Sequence, residues 1–133
     1  MHTLTKLALI AIIAFLGTAC EEEVELTKPV VTLSVDNPSP TTTQIVRFTV
    51  TGSAENYVLF SGLTDQNGNP KLKRYTAGDL RVNGGQVEAR YNYGQDRDGG
   101  AGTYQAYVVA TNVDGFRGEV VTTVSDTLLI EVQ

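Results

Sequence analysis

The sequence predicts an all-β protein, an antiparallel β-sandwich of about seven strands preceded by a cleavable N-terminal segment. Three observations predict it. From Lys28 onward the apolar residues recur with a period of two, and no window of a dozen residues carries the 3.6-residue period of an amphipathic helix. Val and Thr, whose β-branched side chains suit a pleated surface, are abundant. Turn dipeptides such as Asn83-Gly84 and Asp114-Gly115 recur at short intervals. Short strands separated by such turns pack as two sheets face to face, each burying one side.

Taken in order, Val30 to Asp36 is a first strand, ended by Asn37-Pro38-Ser39-Pro40, where two prolines remove ladder donors. Gln44 to Thr51 is the clearest strand, with Val46, Phe48 and Val50 facing the core and Ile45, Arg47 and Thr49 facing out. Asn56 to Ser61 is a short third strand closed by Gly62 and the polar loop from Asp65 to Pro70. Lys71 to Tyr75 reads as an edge segment, protected from pairing with other chains by Lys71, Lys73 and Arg74, and Asp79 to Val82 as a short strand. Asn83-Gly84-Gly85 then predicts a tight hairpin, since Asn and Gly tolerate positive φ.

In Gln86 to Tyr93 the residues Val87, Ala89, Tyr91 and Tyr93 share one face and Gln86, Glu88, Arg90 and Asn92 the other. After the glycine- and aspartate-rich loop from Gly94 to Gly102, Thr103 to Thr111 places Tyr104, Ala106, Val108 and Ala110 inward and Tyr107 and Val109 outward. A turn on Asp114-Gly115 leads to a long final strand, Glu119 to Val132, in which Ser125-Asp126 marks a bulge or a switch between sheets.

The N-terminal segment has a different composition. Met1 to Lys6 carries one positive side chain, and Leu7 to Leu16 is an unbroken apolar run. As a helix, its ten residues would be roughly 15 Å long, half of the roughly 30 Å hydrocarbon core, which suits a signal-peptide core and is too short for a membrane span. The small residues Gly17, Thr18 and Ala19 precede Cys20, the only cysteine. The organisation is therefore residues 1–19 as signal peptide, 20–28 as an anchor and acidic tether, and 29–133 as one sandwich domain.

Composition excludes several functions. All fifteen acidic residues follow position 19, with nine of the ten basic ones, so the 114-residue mature chain carries six net negative charges. That balance opposes a nucleic-acid surface, which needs clustered Lys and Arg to neutralise phosphates. A single cysteine forms no internal disulfide, so stability rests on buried apolar surface. The sole histidine, His2, lies in the signal, and there is no tryptophan. Nucleophile pairs built on histidine are thus absent from the mature chain, and no catalytic residue is assigned.

For metals only hard oxygen donors remain. Asp65, Asn67 and Asn69 alternate as at the start of a calcium loop, yet Pro70 follows and no Glu closes the site; Asp96 and Asp98 could contribute to a second weak site. Ordinary turns explain both patterns more simply. No cofactor is expected beyond a covalent lipid, with calcium as the one ion these donors could hold. For a glycan or protein ligand, the tyrosines outside the assigned core, Tyr57, Tyr75 and Tyr107, are the candidate contacts. Tyr107 and Val109 could form an exposed patch, joined by Ile45 and Arg47, unless the segment near Leu63 covers it.

Two resemblances add to this. Residues 17–20 resemble the lipobox of bacterial lipoproteins, in which the cysteine thiol accepts a diacylglycerol; here Gly17 stands three before Cys20, where the family usually has a large aliphatic residue, and ordinary secretory cleavage after Ala19 remains the alternative. Glu21, Glu22 and Glu23, followed by Glu25, resemble the acidic signal that exports lipoproteins of Bacteroidota to the outer face of the outer membrane; the same residues also make a solvated, self-repelling tether.

Tyr91-Asn92-Tyr93, the run Gly102-Thr103-Tyr104 and its strand ending in Thr111-Asn112 resemble the C-terminal half of polycystic-kidney-disease-type (PKD) domains, which are immunoglobulin-like sandwiches. The family's aromatic-Asp-Phe-Gly-Asp-Gly stretch is replaced here by Tyr57 to Gly62. These resemblances imply a lipid-anchored outer-membrane protein, facing outward or else into the periplasm. Its domain would bind a protein or glycan without catalysis, or serve as a structural accessory subunit of an envelope or glycan-uptake complex.

Overall fold

A computed structural model of the chain describes residues 26–94 and 100–133. The expected signal peptide, Cys20, Glu21, Glu22, Glu23, Asp96 and Asp98 lie outside the described residues. The described chain is an all-β, immunoglobulin-like sandwich of two antiparallel sheets, with eight strands where about seven were expected. The first sheet holds β1 (Val31–Val35), β2 (Val46–Gly52) and β5 (Gln86–Tyr91) in the order β1-β2-β5. The second holds β4 (Pro70–Thr76), β3 (Asn56–Thr64), β6 (Gly102–Asp114) and β7 (Glu119–Val124) in that order, and β8 (Leu128–Val132) pairs with the start of β6.

Alternation fixes what meets in the middle. From the first sheet come Leu33, Val46, Phe48, Val50, Val87 and Ala89; from the second, Tyr57, Leu59, Leu63, Ala106, Val108, Ala110, Ile130 and Val132. Each of these strands therefore shows its apolar set to the opposing sheet, the arrangement that removes most apolar area from water. An aromatic series runs through the upper core: Phe48 meets Tyr91 edge-on at 5.8 Å, Tyr91 lies 6.2 Å from Tyr93, and Tyr93 lies 4.8 Å from Tyr104. The Tyr93 hydroxyl donates to the Ser61 carbonyl at 2.7 Å and so ties the end of β5 to β3 across the seam. Burial raises the pKa of both Tyr91 and Tyr93, the former to about 12.

Four expectations are corrected. Asp79 to Val82 is not a strand but the end of a short helix, α1 (Ala77–Val82). Thr76 and Asp79 form a capping box: the Asp79 N–H donates to Thr76 Oγ1 and the Thr76 N–H to Asp79 Oδ2. Asn83-Gly84-Gly85 is then not a hairpin but the helix's C-terminal cap. Gly84 takes the left-handed conformation, and the Gly85 N–H donates to the Leu80 carbonyl at 2.7 Å, closing a Schellman motif. The same Asn-Gly chemistry serves either structure; the capping box upstream decides between them.

The third strand also does not stop at Ser61. It runs to Thr64 through an irregularity between Phe60 and Thr64, where the Ser61 hydroxyl accepts from the Leu63 N–H and donates to the Lys71 carbonyl. Gly62 allows this, since it sits at φ 88° and a Cβ there would stand 2.8 Å from the Gln105 carbonyl oxygen. The expected long final strand is broken at Ser125 into two, but it does not switch sheets: β7 and β8 lie end to end along β6, and the Ser125 hydroxyl accepts from the Val108 N–H at 2.8 Å. Among the described residues no helix is long and apolar enough to cross a membrane.

Strand direction gives the sandwich two ends. The base carries the arriving chain up to Val30, the β2–β3 connection, α1 and the β6–β7 turn; the opposite end carries the β1–β2, β3–β4 and β5–β6 connections and Gln133.

Candidate functional site

The candidate site is the outer face of the second sheet. Strands β3 and β6 are apolar in both phases, so their outward residues Val58, Phe60, Tyr107 and Val109 cannot be placed in the core with the inward ones. Pairing sets them in rows. Phe60 stands opposite Leu72 on one side and Tyr107 on the other; Val58 stands opposite Val109, which stands opposite Val124. Leu129 extends the face from β8, opposite Gln105. Phe60 and Tyr107 stack with centroids 4.8 Å apart and planes 16° from parallel, which shields part of each ring. Val124 and Leu129 stay 56% and 52% exposed, a large apolar presence for solvated strands. Beside the stack lies a shallow depression of about 270 Å³, edged by Thr64, Pro70, Thr103 and Gln105.

The structure places the predicted contact residues in three different settings. Tyr107 lies on this face next to Val109, as the strand phase requires. Ile45 and Arg47 do not join them, because β2 belongs to the other sheet and its outward side faces away. Leu63 does not cover the patch; it is an inward residue of β3. Tyr57 is no surface contact at all: it is 1% exposed, inside the core, and its hydroxyl accepts from the Ala54 N–H at 2.7 Å to hold the β2–β3 connection.

Tyr75 is half-buried at the open side between β4 and β5. It lines a polar hollow of about 520 Å³ with Arg74, Asp79, Asn83, Gln86 and Glu88. Burial raises its pKa, the carboxylate of Asp79 adding to the effect. On β4 as well, the Lys73 ammonium stands 4.7 Å over the Tyr91 ring, a cation–π contact that lets an edge-strand lysine cap the aromatic series.

Phe60, which completes the face, is not among the candidates the sequence offers: β3 carries apolar residues in both phases, and a surface role for Tyr57 leaves no outward place for Phe60. A usable signal lay in the sequence. Read through to Thr64, the strand has polar Asn56 and Thr64 in phase with Phe60, and Leu59 and Leu63 in phase with Tyr57.

Asp65, Asn67 and Asn69 do come together, but as a turn. The Asp65 Oδ1 accepts from the N–H groups of Asn67 and Asn69 at 2.8 and 2.9 Å, so this oxygen points at donors of its own loop. Those bonds, the one from Asn69 foremost, lower the Asp65 pKa. No family model and no curated protein matches the chain.

Proposed function

We propose that this chain is a bacterial envelope lipoprotein, held in the outer membrane through a lipidated Cys20 and displayed outward, whose PKD-like sandwich is a non-catalytic module that binds a protein partner on the outer face of its second sheet. The observation that carries the binding role is the stacked Phe60–Tyr107 pair set among Leu72, Val58, Val109, Val124 and Leu129. An apolar face of this breadth favours a protein over a glycan. Sugars are gripped by an open ring face, whereas here the two rings lie against each other, and Leu72, Val58, Val109 and Val124 continue the face in the paired rows.

The anchoring role is supported by the apolar run Leu7 to Leu16, the small residues before Cys20 and the acidic tether after it. The PKD resemblance is supported by the aromatic series, which gathers Tyr91, Tyr93 and Tyr104 in one core. The test is photo-crosslinking from position 109 in intact cells, together with mass spectrometry of the purified chain. We expect an acylated Cys20 and one stoichiometric protein adduct, lost when Phe60→Ser and Tyr107→Ser are combined in a chain that keeps its β-sheet spectrum. An adduct indifferent to the double substitution, or binding to a glycan array through this face, would overturn the reading.

A further inference from the structure

The base of the sandwich exposes apolar side chains that the outer-face site does not use. Phe116, at the tip of the β6–β7 turn, is 99% exposed. The tip is nonetheless built firmly: the Asp114 side chain accepts from the N–H groups of Phe116 and Arg117, and the Gly118 N–H donates to the Asp114 carbonyl at 2.7 Å. Immediately above it, Val113 and Val120 pair across the ladder at the base end of the outer face, separated from Val109 and Val124 by the Thr111–Thr122 row, and Val120 is 60% exposed. At the same end, Val82 closes α1 at 84% exposed and Val30 leads into β1 at 64%. At the opposite end the described turns, residues 36–45 and 65–69, expose one large apolar side chain, Ile45.

The base is also where the chain arrives from its N-terminus. The Asn112 side-chain amide donates to the Thr27 carbonyl at 2.9 Å, and the Val30 carbonyl accepts from the Ser53 N–H. Thr27 follows Cys20 by seven residues. Even fully extended, such a tether reaches about 25 Å.

We infer that the base is a membrane-docking surface, with Phe116 and the Val113–Val120 pair entering the lipid interface beside the acyl anchor. The inference rests on the reading of Cys20 as lipidated. A short tether keeps the base close to the bilayer, and an aromatic ring on a rigid turn enters the interfacial zone without losing conformational freedom there. The occupant is a lipid surface rather than a protein because a lipidated Cys20, seven residues before Thr27, brings its own bilayer within reach of this end. The acidic tether makes apolar insertion, not attraction to anionic headgroups, the source of binding, so uncharged lipid suffices.

The chain's lack of tryptophan supplies the test. The full chain carrying Phe116→Trp is expressed in bacteria, extracted, checked for acylation by mass spectrometry and reconstituted in phosphatidylcholine vesicles with or without brominated acyl chains. Trp at 116 should emit at shorter wavelength on vesicles and lose most of its intensity to bromine. Trp introduced by Ser39→Trp, at the opposite end and roughly 40 Å away along the thirteen residues of β6, should do neither. In the unsubstituted chain, vesicle binding should slow trypsin cleavage after Arg117, and Phe116→Ser should restore it. An acylated, vesicle-bound chain in which Trp at 116 stays unquenched overturns docking alone; a chain with no acyl group on Cys20 overturns both docking and the lipoprotein reading.

Discussion

The outer faces of the two sheets differ most in their middle rows. On the first sheet the outward residues are Thr32 and Ser34 of β1, Arg47, Thr49 and Thr51 of β2, and Gln86, Glu88 and Arg90 of β5, all polar and directly paired with one another across the ladders. On the second, one middle row holds Leu72, Phe60 and Tyr107 and the next holds Val58, Val109 and Val124, with Arg74 at its edge. Both sheets present an apolar inner side, so the core does not account for the contrast. Threonine and arginine satisfy the strand geometry of the first sheet and would satisfy that of the second. The apolar choice on one outer face is therefore surplus to folding, and that surplus is the physical basis for assigning the face a partner.

The comparison breaks if the outer aromatic residues turn out to be structural. The largest effect should come from the inner side: Tyr57→Ala removes a buried ring and should cost about 3–5 kcal/mol, the range for large-to-small aromatic substitutions in cores. Phe60→Ser or Tyr107→Ser, each removing a half-buried ring, should cost clearly less, about 1–2 kcal/mol. Urea unfolding of the three variants checks this. An outer substitution as costly as Tyr57→Ala would make that face part of the fold's own core and remove the reason for seeking a partner there.

Much of this was legible in the sequence wherever a strand is polar on one side. The alternation in β2 and β5, and in β6 the phase set by polar Thr103 and Gln105, assigned Val46, Phe48, Val50, Val87, Ala89, Ala106, Val108 and Ala110 to the core, and all are buried. It failed where both phases are apolar or the period is short. In β3, Val58 and Leu59 give no contrast between the roles of Tyr57 and Phe60; the contrast lies in Asn56, Leu63 and Thr64, and it shows only when the strand is carried past Gly62. The six residues of α1 are too few to show helical periodicity, and only the Thr76–Asp79 spacing announced them. Asp65 looked like a ligand because alternate oxygen-bearing residues mark both calcium loops and tight turns, and spacing does not say which way the N–H groups point.

Alkaline titration sharpens the contrast between inside and outside. Desolvation by burial holds Tyr91 and Tyr93 as neutral phenols, with neighbouring tyrosines adding to the effect, and raises the Tyr91 pKa to about 12. In the unfolded chain both ionise near the ordinary tyrosine value of about 10. A raised folded pKa means that their contribution to stability is complete below pH 10 and is lost as pH rises from there through about 12. Phenolate absorbance should therefore show a late fraction that appears together with loss of the β-sheet signal. A single early titration, finished before any unfolding, would place these tyrosines in water and contradict the aromatic core.

The smallest effect concerns how the two sheets are joined. The chain passes from the second sheet to the first through α1, and the start of that helix depends on the reciprocal bonds of Thr76 and Asp79. Thr76→Ala leaves the Asp79 N–H without its acceptor and should cost about 1 kcal/mol, as for other capping residues. Thr32→Ala, exposed on the polar outer face of the first sheet, should stay within about 0.5 kcal/mol. The difference is small enough to require matched urea curves, and its sign carries the meaning. If Thr76→Ala were as silent as Thr32→Ala, α1 would be held by Leu80 packing into the core and not by its cap, so burial alone would fix the crossing between the two faces.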